Sequence, residues 1–259
     1  MTKTSPARPS VGLFVTCLVD LMRPSVGFAA LRLLERAGAQ VVVPENQTCC
    51  GQPAYNSGDF KDARAIARDV IEAFAGFDHV VAPSGSCAGM IRVHYPALFK
   101  DDAQWYARAE DLAARTYELT QYLAEHLDLN EVSATLNATV TYHDSCASRR
   151  EMGVLDQPRK LLATVDGVKL TEMSDTETCC GFGGLFSIKF PDVSGDIVDK
   201  KTQMIEATGA DMLVGADLGC LMNMSGKLKR QRSGVRVYHI AEVLAGMTDQ
   251  PGVGEGEDA

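Results

Sequence analysis

A chain of 259 residues with 46% hydrophobic residues has enough apolar material for a sizeable core, built as one large domain or two of about 130 residues. Its net charge of −9 argues against nucleic acid as a partner, which needs a basic face to displace counterions, and fits solubility instead. No run approaches the roughly 18 apolar residues of a membrane span, since the apolar segment from Val11 is broken at Asp20, and Met1–Ser10 has no apolar stretch behind a basic start. The chain therefore reads as cytoplasmic, where thiols stay reduced and metal binding or redox chemistry outranks disulfides.

Val11–Thr16 is a short β-rich run ending at Cys17. Pro24 suits the first turn of a helix in which Phe28, Leu31 and Leu34 recur at helical spacing, and Gly38 stops it. Gln40–Val43 has the character of a buried strand. Asp59–Phe74 is helical, with Ala63, Ile66, Ala67, Val70 and Phe74 along one stripe. His79–Ala82 is a strand, and a helix starts near Cys87. Leu112–Leu127 reads as a helix linking two halves, with the boundary between Asp128 and Asn137. The order then returns: Thr139–Tyr142 a strand, Pro158–Thr164 a helix, Val168–Thr171 a strand, Val193–Ala207 a helix and Asp211–Val214 a strand. Val235–Tyr238 adds a late strand, with a helix from Ile240. This alternation predicts an α/β fold of two pseudo-symmetric halves, each a parallel β-sheet flanked by helices. We expect residues 1–10 as an N-terminal extension, 11–130 and 137–245 as the two halves, and 246–259, rich in glycine and acids, as a disordered tail.

The eight cysteines divide into two sets of four, Cys17, Cys49, Cys50 and Cys87, then Cys146, Cys179, Cys180 and Cys220. Intervening residues number 31, 0 and 36 in the first set and 32, 0 and 39 in the second. The surroundings repeat as well. Asp78-His-Val-Val-Ala-Pro-Ser leads to Cys87, and Asp211-Met-Leu-Val-Gly-Ala-Asp leads to Cys220, so the chain is an internal duplication. Each cysteine follows the carboxyl end of an expected strand, the edge where parallel α/β sheets bind ligands. Four thiols gathered twice suggest two sites for a soft metal or metal cluster. Adjacent cysteines in an extended loop point apart, which suits two irons of one cluster better than one ion. Gly51 and Gly181, after the double cysteines, let backbone approach closely and offer an amide to sulfur. The Cys-x2–4-Cys chelates usual in structural zinc sites are absent, although zinc and redox-active or inert thiols remain open on spacing alone. There is no Gly-x-Gly-x-x-Gly fingerprint and no P-loop.

His143 and Asp144, just before Cys146, are candidates to tune a bound group or supply a proton, against the plainer reading of a polar turn capping a helix. Asn223 is a candidate to contact iron or sulfide, against a helix-surface amide, and Met90 reads as core. Asp20 and Arg23 are expected to pair with each other or cap a helix. Gln52 and Tyr55 either line the first pocket or fix its turn. Arg149 and Arg150 read as a solvated face, while His79, His94, His126 and His239 read as structural, and Trp105 as core or a seam.

The pattern Cys-x31-Cys-Cys-Gly-x35-Cys, returning as Cys-x32-Cys-Cys-Gly-x38-Cys, resembles the cysteine-rich CCG domain family, whose members include iron–sulfur subunits of heterodisulfide reductase and of glycolate and glycerol-3-phosphate oxidising enzymes. Leu13-Phe-Val-Thr-Cys17-Leu-Val-Asp20, Thr48-Cys-Cys-Gly-Gln-Pro-Ala-Tyr-Asn56, His143-Asp-Ser-Cys146 and Cys179-Cys-Gly-Phe-Gly-Gly184 look closer still to its lactate-utilisation branch. The resemblance spans residues 11–245. It implies one or two iron–sulfur clusters per chain, of the [4Fe–4S] type, held by the eight cysteines, in an electron-transfer subunit of a three-component complex oxidising L-lactate to pyruvate. Such a subunit would not be active alone, and any membrane association would run through its partner subunits. The heterodisulfide branch ends each motif in Cys-x-x-Cys; here Met90 and Asn223 hold those places, leaving four thiols per half. That departure counts against a thiol or disulfide reductase acting at a cluster, which stands as the alternative beside a zinc-stabilised scaffold.

Overall fold

The computed structural model describes residues 8–129 and 131–256. The first half runs β1 (Ser10–Leu13), α1 (Cys17–Met22), α2 (Pro24–Arg36), β2 (Gln40–Val42), α3 (Gln52–Asn56), α4 (Phe60–Ala73), β3 (His79–Ala82) and α5 (Gly85–Gly89). A π-helical turn (Met90–His94) leads to α6 (Tyr95–Leu98), α7 (Ala103–Ala114), β4 (Thr116–Glu118) and α8 (Leu119–Glu125). The second half runs β5 (Thr135–His143), α9 (Cys146–Arg150), α10 (Asp156–Leu162), β6 (Asp166–Leu170), α11 (Phe186–Lys189) and α12 (Pro191–Ala207). It closes with β7 (Met212–Gly215), α13 (Leu218–Arg230), β8 (Arg236–His239) and α14 (Ile240–Leu244).

The strands form two four-stranded parallel sheets, ordered β2-β1-β3-β4 and β6-β5-β7-β8. The orders are equivalent: the first strand of each half lies inside its sheet, between the second and third. Parallel pairing forces each connection to cross over, so every loop that follows a strand opens at the same edge. The α/β fold and its duplication are as the sequence implied.

Two cores fill the molecule. One joins the halves: Val11, Leu13 and Val81 of the first sheet pack in one cluster with Leu33 and Leu34 of α2, Val140 and Tyr142 of β5, Leu213 of β7 and Val243 and Leu244 of α14. The other lies on the far face of the first sheet, where Phe14, Val80 and Ala82 meet Ala67, Val70 and Phe74 beside Tyr95 and Leu112. Helix α2 lies against α14, α8 against α10 and α5 against α9, so the halves exchange contacts on several fronts.

Several expectations need correction. β1 ends at Leu13, because the Thr16 hydroxyl already caps α1, accepting from the Val19 amide at 3.3 Å. Phe28 is 64% exposed; the small pair Ala29 and Ala30 with Val26, Leu33 and Leu34 faces the core instead. β2 is an edge strand with Gln40 and Val42 exposed, where a buried strand was expected. The expected helix Leu112–Leu127 is divided by β4, which pairs with β3. Within residues 246–256 the Val253 amide donates to the Val237 carbonyl at 2.7 Å, and the Gln250 carbonyl accepts from the Tyr238 hydroxyl at 2.7 Å. Residues 1–7 of the expected extension and 257–259 of the expected tail lie outside the described residues.

Candidate metal centre

Every cysteine sits just beyond the carboxyl end of a strand. Cys17 and Cys146 are the first residues of α1 and α9, after β1 and β5. Cys49 and Cys50, like Cys179 and Cys180, lie in the loops after β2 and β6. Cys87 and Cys220 are each the third residue of their helix, α5 and α13, after β3 and β7. The capping residues keep the same register. Thr16 and Ser145 precede the first cysteine of each set, with the Ser145 hydroxyl accepting from the Ser148 amide at 3.2 Å. Ser84 caps α5, accepting from the Cys87 amide at 3.3 Å. Helix starts of this kind turn amide N–H groups toward sulfur and favour its thiolate form.

The thiols approach one another in pairs at the same sheet edge. Cys17 Sγ lies 3.7 Å from Cys49 Sγ, and Cys50 Sγ lies 3.3 Å from Cys87 Sγ. In the second half the Sγ atoms of Cys180 and Cys220 lie within 4.8 Å of each other. No disulfide joins any of the eight. Cys50, Cys87, Cys180 and Cys220 form buried floors, whereas Cys17 and Cys49 are half-buried and Cys146 and Cys179 exposed, so each site has a wet rim and a dry base.

Crowding sets the ionisation. Hydrogen bonds from Cys17, then Cys50, draw the Cys49 thiol down to about 2, and Cys146 with Cys180 draws Cys179 down to about 2. The donors pay the converse: Cys17 and Cys146 are pushed up by bonding to their thiolate neighbours and, next, by burial. Each quartet thus holds one easily formed thiolate, Cys49 or Cys179, whose neighbours Cys17 and Cys50, or Cys146 and Cys180, resist further negative charge. A bound cation would let those neighbours ionise.

The glycines after the double cysteines stand at φ +81 for Gly51 and +80 for Gly181. The Gly181 amide donates to Cys179 Sγ at 3.3 Å. A Cβ on Gly181 would come within 2.7 Å of the Ser194 carbonyl oxygen; on Gly51 it would come within 3.3 Å of the Ile66 side chain. Each loop is tied from behind. The Tyr95 hydroxyl donates to the Cys50 carbonyl at 2.9 Å, and Asn223 Nδ2 donates to the Cys180 carbonyl at 2.8 Å. Asn223 is therefore bonded through its amide nitrogen to the loop's backbone.

His143, the last residue of β5, is fully buried, and neither ring nitrogen has a hydrogen-bond partner among the described residues. Its ligand atom and those of Cys180 and Cys220 all lie within 4.8 Å of one another. Burial, with Lys201 adding to it, pushes the imidazole down to about 4, so it is neutral at pH 7. Asp144 turns away and accepts two bonds from Arg159, at 2.9 and 2.8 Å. Soft thiols over a buried floor, a neutral unpartnered imidazole and a close-approaching amide fit a thiophilic metal or an iron–sulfur group.

Other candidates resolve as structure. Met90 is buried in the core. Gln52 donates to the Ser86 carbonyl at 3.3 Å and Tyr55 packs on His94 and Phe60, so both brace the first turn. Arg23 pairs with Glu242 at 2.9 Å and not with Asp20, because α14 lies beside α2. Arg149 pairs with Glu177 at the surface. His239 is buried, with Nε2 at 3.1 Å from the Pro83 carbonyl and 2.9 Å from the Ala216 carbonyl, one from each half. His79 and His126 pack with Tyr117 and Tyr122 at the opposite, amino-terminal end of β3. Trp105 stacks on Phe99 beside Arg68 and Arg108.

Sequence reasoning passed over Asp217. Its buried carboxylate accepts from the Ser84 hydroxyl at 2.6 Å, the Ser86 hydroxyl at 2.7 Å, the Ser86 amide at 3.1 Å, the Ser148 hydroxyl at 3.3 Å and the Ser145 hydroxyl. Burial opposes its charge, yet these donors, led by Ser145, hold its carboxyl below the usual range. Ser86 adjoins Cys87 and Ser145 adjoins Cys146, so the network links the two quartets. The signal was present in the repeat, where Asp217 takes the place of Ser84.

Two copies of one parallel α/β unit, each gathering four cysteines around a Cys-Cys-Gly loop, define a duplicated cysteine-rich module. The chain belongs to the CCG cysteine-rich domain family, whose family model matches residues 11–92 and 140–225. It is 50% identical over 234 residues to lactate utilization protein A of Bacillus subtilis, covering 90% of this chain and 98% of that protein. The same-named protein of Exiguobacterium sp. is 50% identical over 238 residues, covering 91% and 97%. A hypothetical protein from Helicobacter pylori shares the fold, with a TM-score of 0.61 at 11% identity over 96% of this chain and 51% of that one. Among the described residues no helix is long and apolar enough to cross a membrane.

Proposed function

We propose that this chain is an iron–sulfur electron-transfer subunit of a complex that oxidises L-lactate to pyruvate. The observation that supports the reading is the repeated placement of four thiols after three strand ends at one sheet edge, with Cys17 near Cys49, Cys50 near Cys87 and Cys180 near Cys220. The lactate assignment comes from the relatives, which share about half their residues with nearly the whole chain.

Within this reading Cys17, Cys49, Cys50 and Cys87 hold one group and Cys146, Cys179, Cys180 and Cys220 the other. When bound, an iron–sulfur cluster supplies one-electron storage and transfer. The chain's part is to fix the thiolates, keep water from the buried floor and direct amides at sulfur, as Gly181 does toward Cys179. Lactate binding and hydride chemistry would fall to partner subunits, since the chain lacks dinucleotide and phosphate-binding fingerprints. Position 90 is a buried methionine and position 223 an asparagine bonded to Cys180, so neither quartet has a fifth thiol at these positions for disulfide chemistry.

Anaerobic purification with iron and sulfide counting tests the proposal. About four of each per occupied half is expected for [4Fe–4S] clusters, with thiolate-to-iron absorbance in the visible. A folded, anaerobically reconstituted protein lacking both, or stoichiometric zinc in a native sample, would overturn it. Lactate-dependent reduction of the clusters in the assembled complex, absent from the isolated chain, tests the substrate.

A further inference from the structure

The two halves match in sulfur but not in what surrounds it. Counting back from the cysteines that open α1 and α9, the place of His143 is held in the first half by Phe14, also fully buried. Val15 stands where Asp144 does. The carbonyls of Ala63 and Ser194 approach the two equivalent glycines, and counting from them Lys201 falls where the first half has Val70. Lys201 and Val70 are both fully buried, and among the described residues the lysine reaches only the Asp175 and Thr176 carbonyls, at 3.3 and 3.4 Å. The first quartet thus sits against an apolar wall. The second has an imidazole beside its floor sulfurs and a buried lysine in its neighbourhood.

Burying a polar atom without a partner is costly, and His143 presents two such nitrogens. Among the described residues the other buried histidine nitrogen without a partner is Nδ1 of His79, which lies among aromatic rings at the far end of β3 and away from the cysteines, whereas both nitrogens of His239 are used. His143 ends β5 beside Cys180 and Cys220, its ligand atom inside the same 4.8 Å cluster as the two floor sulfurs. Cys146 and Cys179 lie at the exposed rim.

We infer that His143 is a direct nitrogen ligand of the metal group in the second half, with Cys180 and Cys220, so that the two centres differ in kind: all-sulfur in the first, mixed sulfur and nitrogen in the second. The inference rests on a metal group occupying the second quartet. With imidazole standing in for one of the two rim thiolates, Cys146 or Cys179, that the four-cysteine reading assigns to this centre, the centre carries one negative charge fewer and its reduction potential rises, as nitrogen ligation does in other iron–sulfur sites. Lys201 acts in the same direction by compensating the remaining thiolates. Electrons entering at the first centre would then run downhill to the second.

The test uses the full chain, reconstituted anaerobically with iron and sulfide, partly reduced and studied by pulsed EPR with and without 15N-histidine labelling. The expected result is a nitrogen coupling of the size given by imidazole bound to iron, altered by the label, in one of two signals. That coupling should be lost in H143F, which installs the first half's residue. A weak coupling, of the size given by a hydrogen bond to sulfide, or none, would overturn the inference while leaving the cluster reading intact. A Co2+ titration of the metal-free chain is independent of cluster assembly. Its ligand-field spectrum should change between wild type and H143F, and identical spectra would count against the ligand. Should iron and sulfide fail to bind while the Co2+ spectrum still depends on His143, the nitrogen ligand stands and the cluster reading falls.

Discussion

Asp217 accepts a hydrogen bond from Ser84 at 2.6 Å, and the two residues hold the same position in the two halves, each just before the helix that carries the third strand's cysteine. Ser84 spends its hydroxyl on that bond while capping α5; Asp217 gives up capping α13 and collects hydroxyls from across the seam. The carboxylate is acceptor-only, so D217A would strand four serine hydroxyls and one amide in a dry junction. We expect a loss of about 3 kcal/mol. D217N keeps an acceptor oxygen and should lose less. Urea unfolding of the reduced protein checks both, and an unchanged midpoint for D217A would refute the junction's role.

The glycines of the two double-cysteine loops predict unequal costs. Both stand at left-handed φ, which costs a side chain about 1–2 kcal/mol. G181A adds a 2.7 Å approach to the backbone oxygen of Ser194, whereas G51A meets the Ile66 side chain at 3.3 Å, which can rotate away. G181A should therefore cost about 3 kcal/mol and lower metal uptake by the second half, and G51A about half that. Gly153 has φ +69 with nothing within 4 Å of an added Cβ, so G153A isolates the backbone cost. Equal losses for G181A and G51A would contradict this account.

The repeat, the sheet class and the gathering of cysteines were legible because rigid strands convert sequence spacing into position, and the apolar runs before each cysteine mark those strands. Short elements were less visible. β4 has three residues, and the apolar stripe around it has helical spacing on both sides, so pattern alone merges them. Phe28 misled because a large apolar residue outweighs two alanines in any hydrophobic count, yet small residues let α2 approach its neighbours. Arg23 and Asp20 are close in sequence, but the partner of Arg23 lies 219 residues away. Asp217 reads as an ordinary helix cap until four serines from two halves converge on it.

Arg23 and Glu242 tie the halves where α2 meets α14. Glu242 is fully buried and also accepts from the Ser25 hydroxyl at 2.7 Å and the His239 amide at 3.1 Å. Removing the cation leaves a buried carboxylate without its charge partner. R23M should destabilise by about 3 kcal/mol, and R23M/E242Q should recover part of that loss, because a neutral amide needs no counter-charge. Thermal unfolding of the two variants decides the matter; a double variant no better than the single would show that packing of the arginine stem is what counts.

Glu118 provides a pH dependence far in sequence from the cysteines. It ends β4 and caps α8, accepting from the Thr120 and Gln121 amides at 2.8 and 3.1 Å, while its other oxygen is buried without a partner. Burial pushes its carboxyl up from 4.5 to about 7, against the pull of those hydrogen bonds. Between these two values the folded chain holds a proton that the unfolded chain has released. Stability from this group is therefore complete below pH 4.5 and is lost as pH rises through about 7. The loss is bounded at about 3 kcal/mol. E118Q cannot ionise and should lack this slope, so its stability relative to wild type improves steadily across the interval. Urea unfolding of both proteins at several pH values measures the difference directly, with the other titrating groups cancelling. Parallel stability curves for the two would show that Glu118 is not held protonated by its burial.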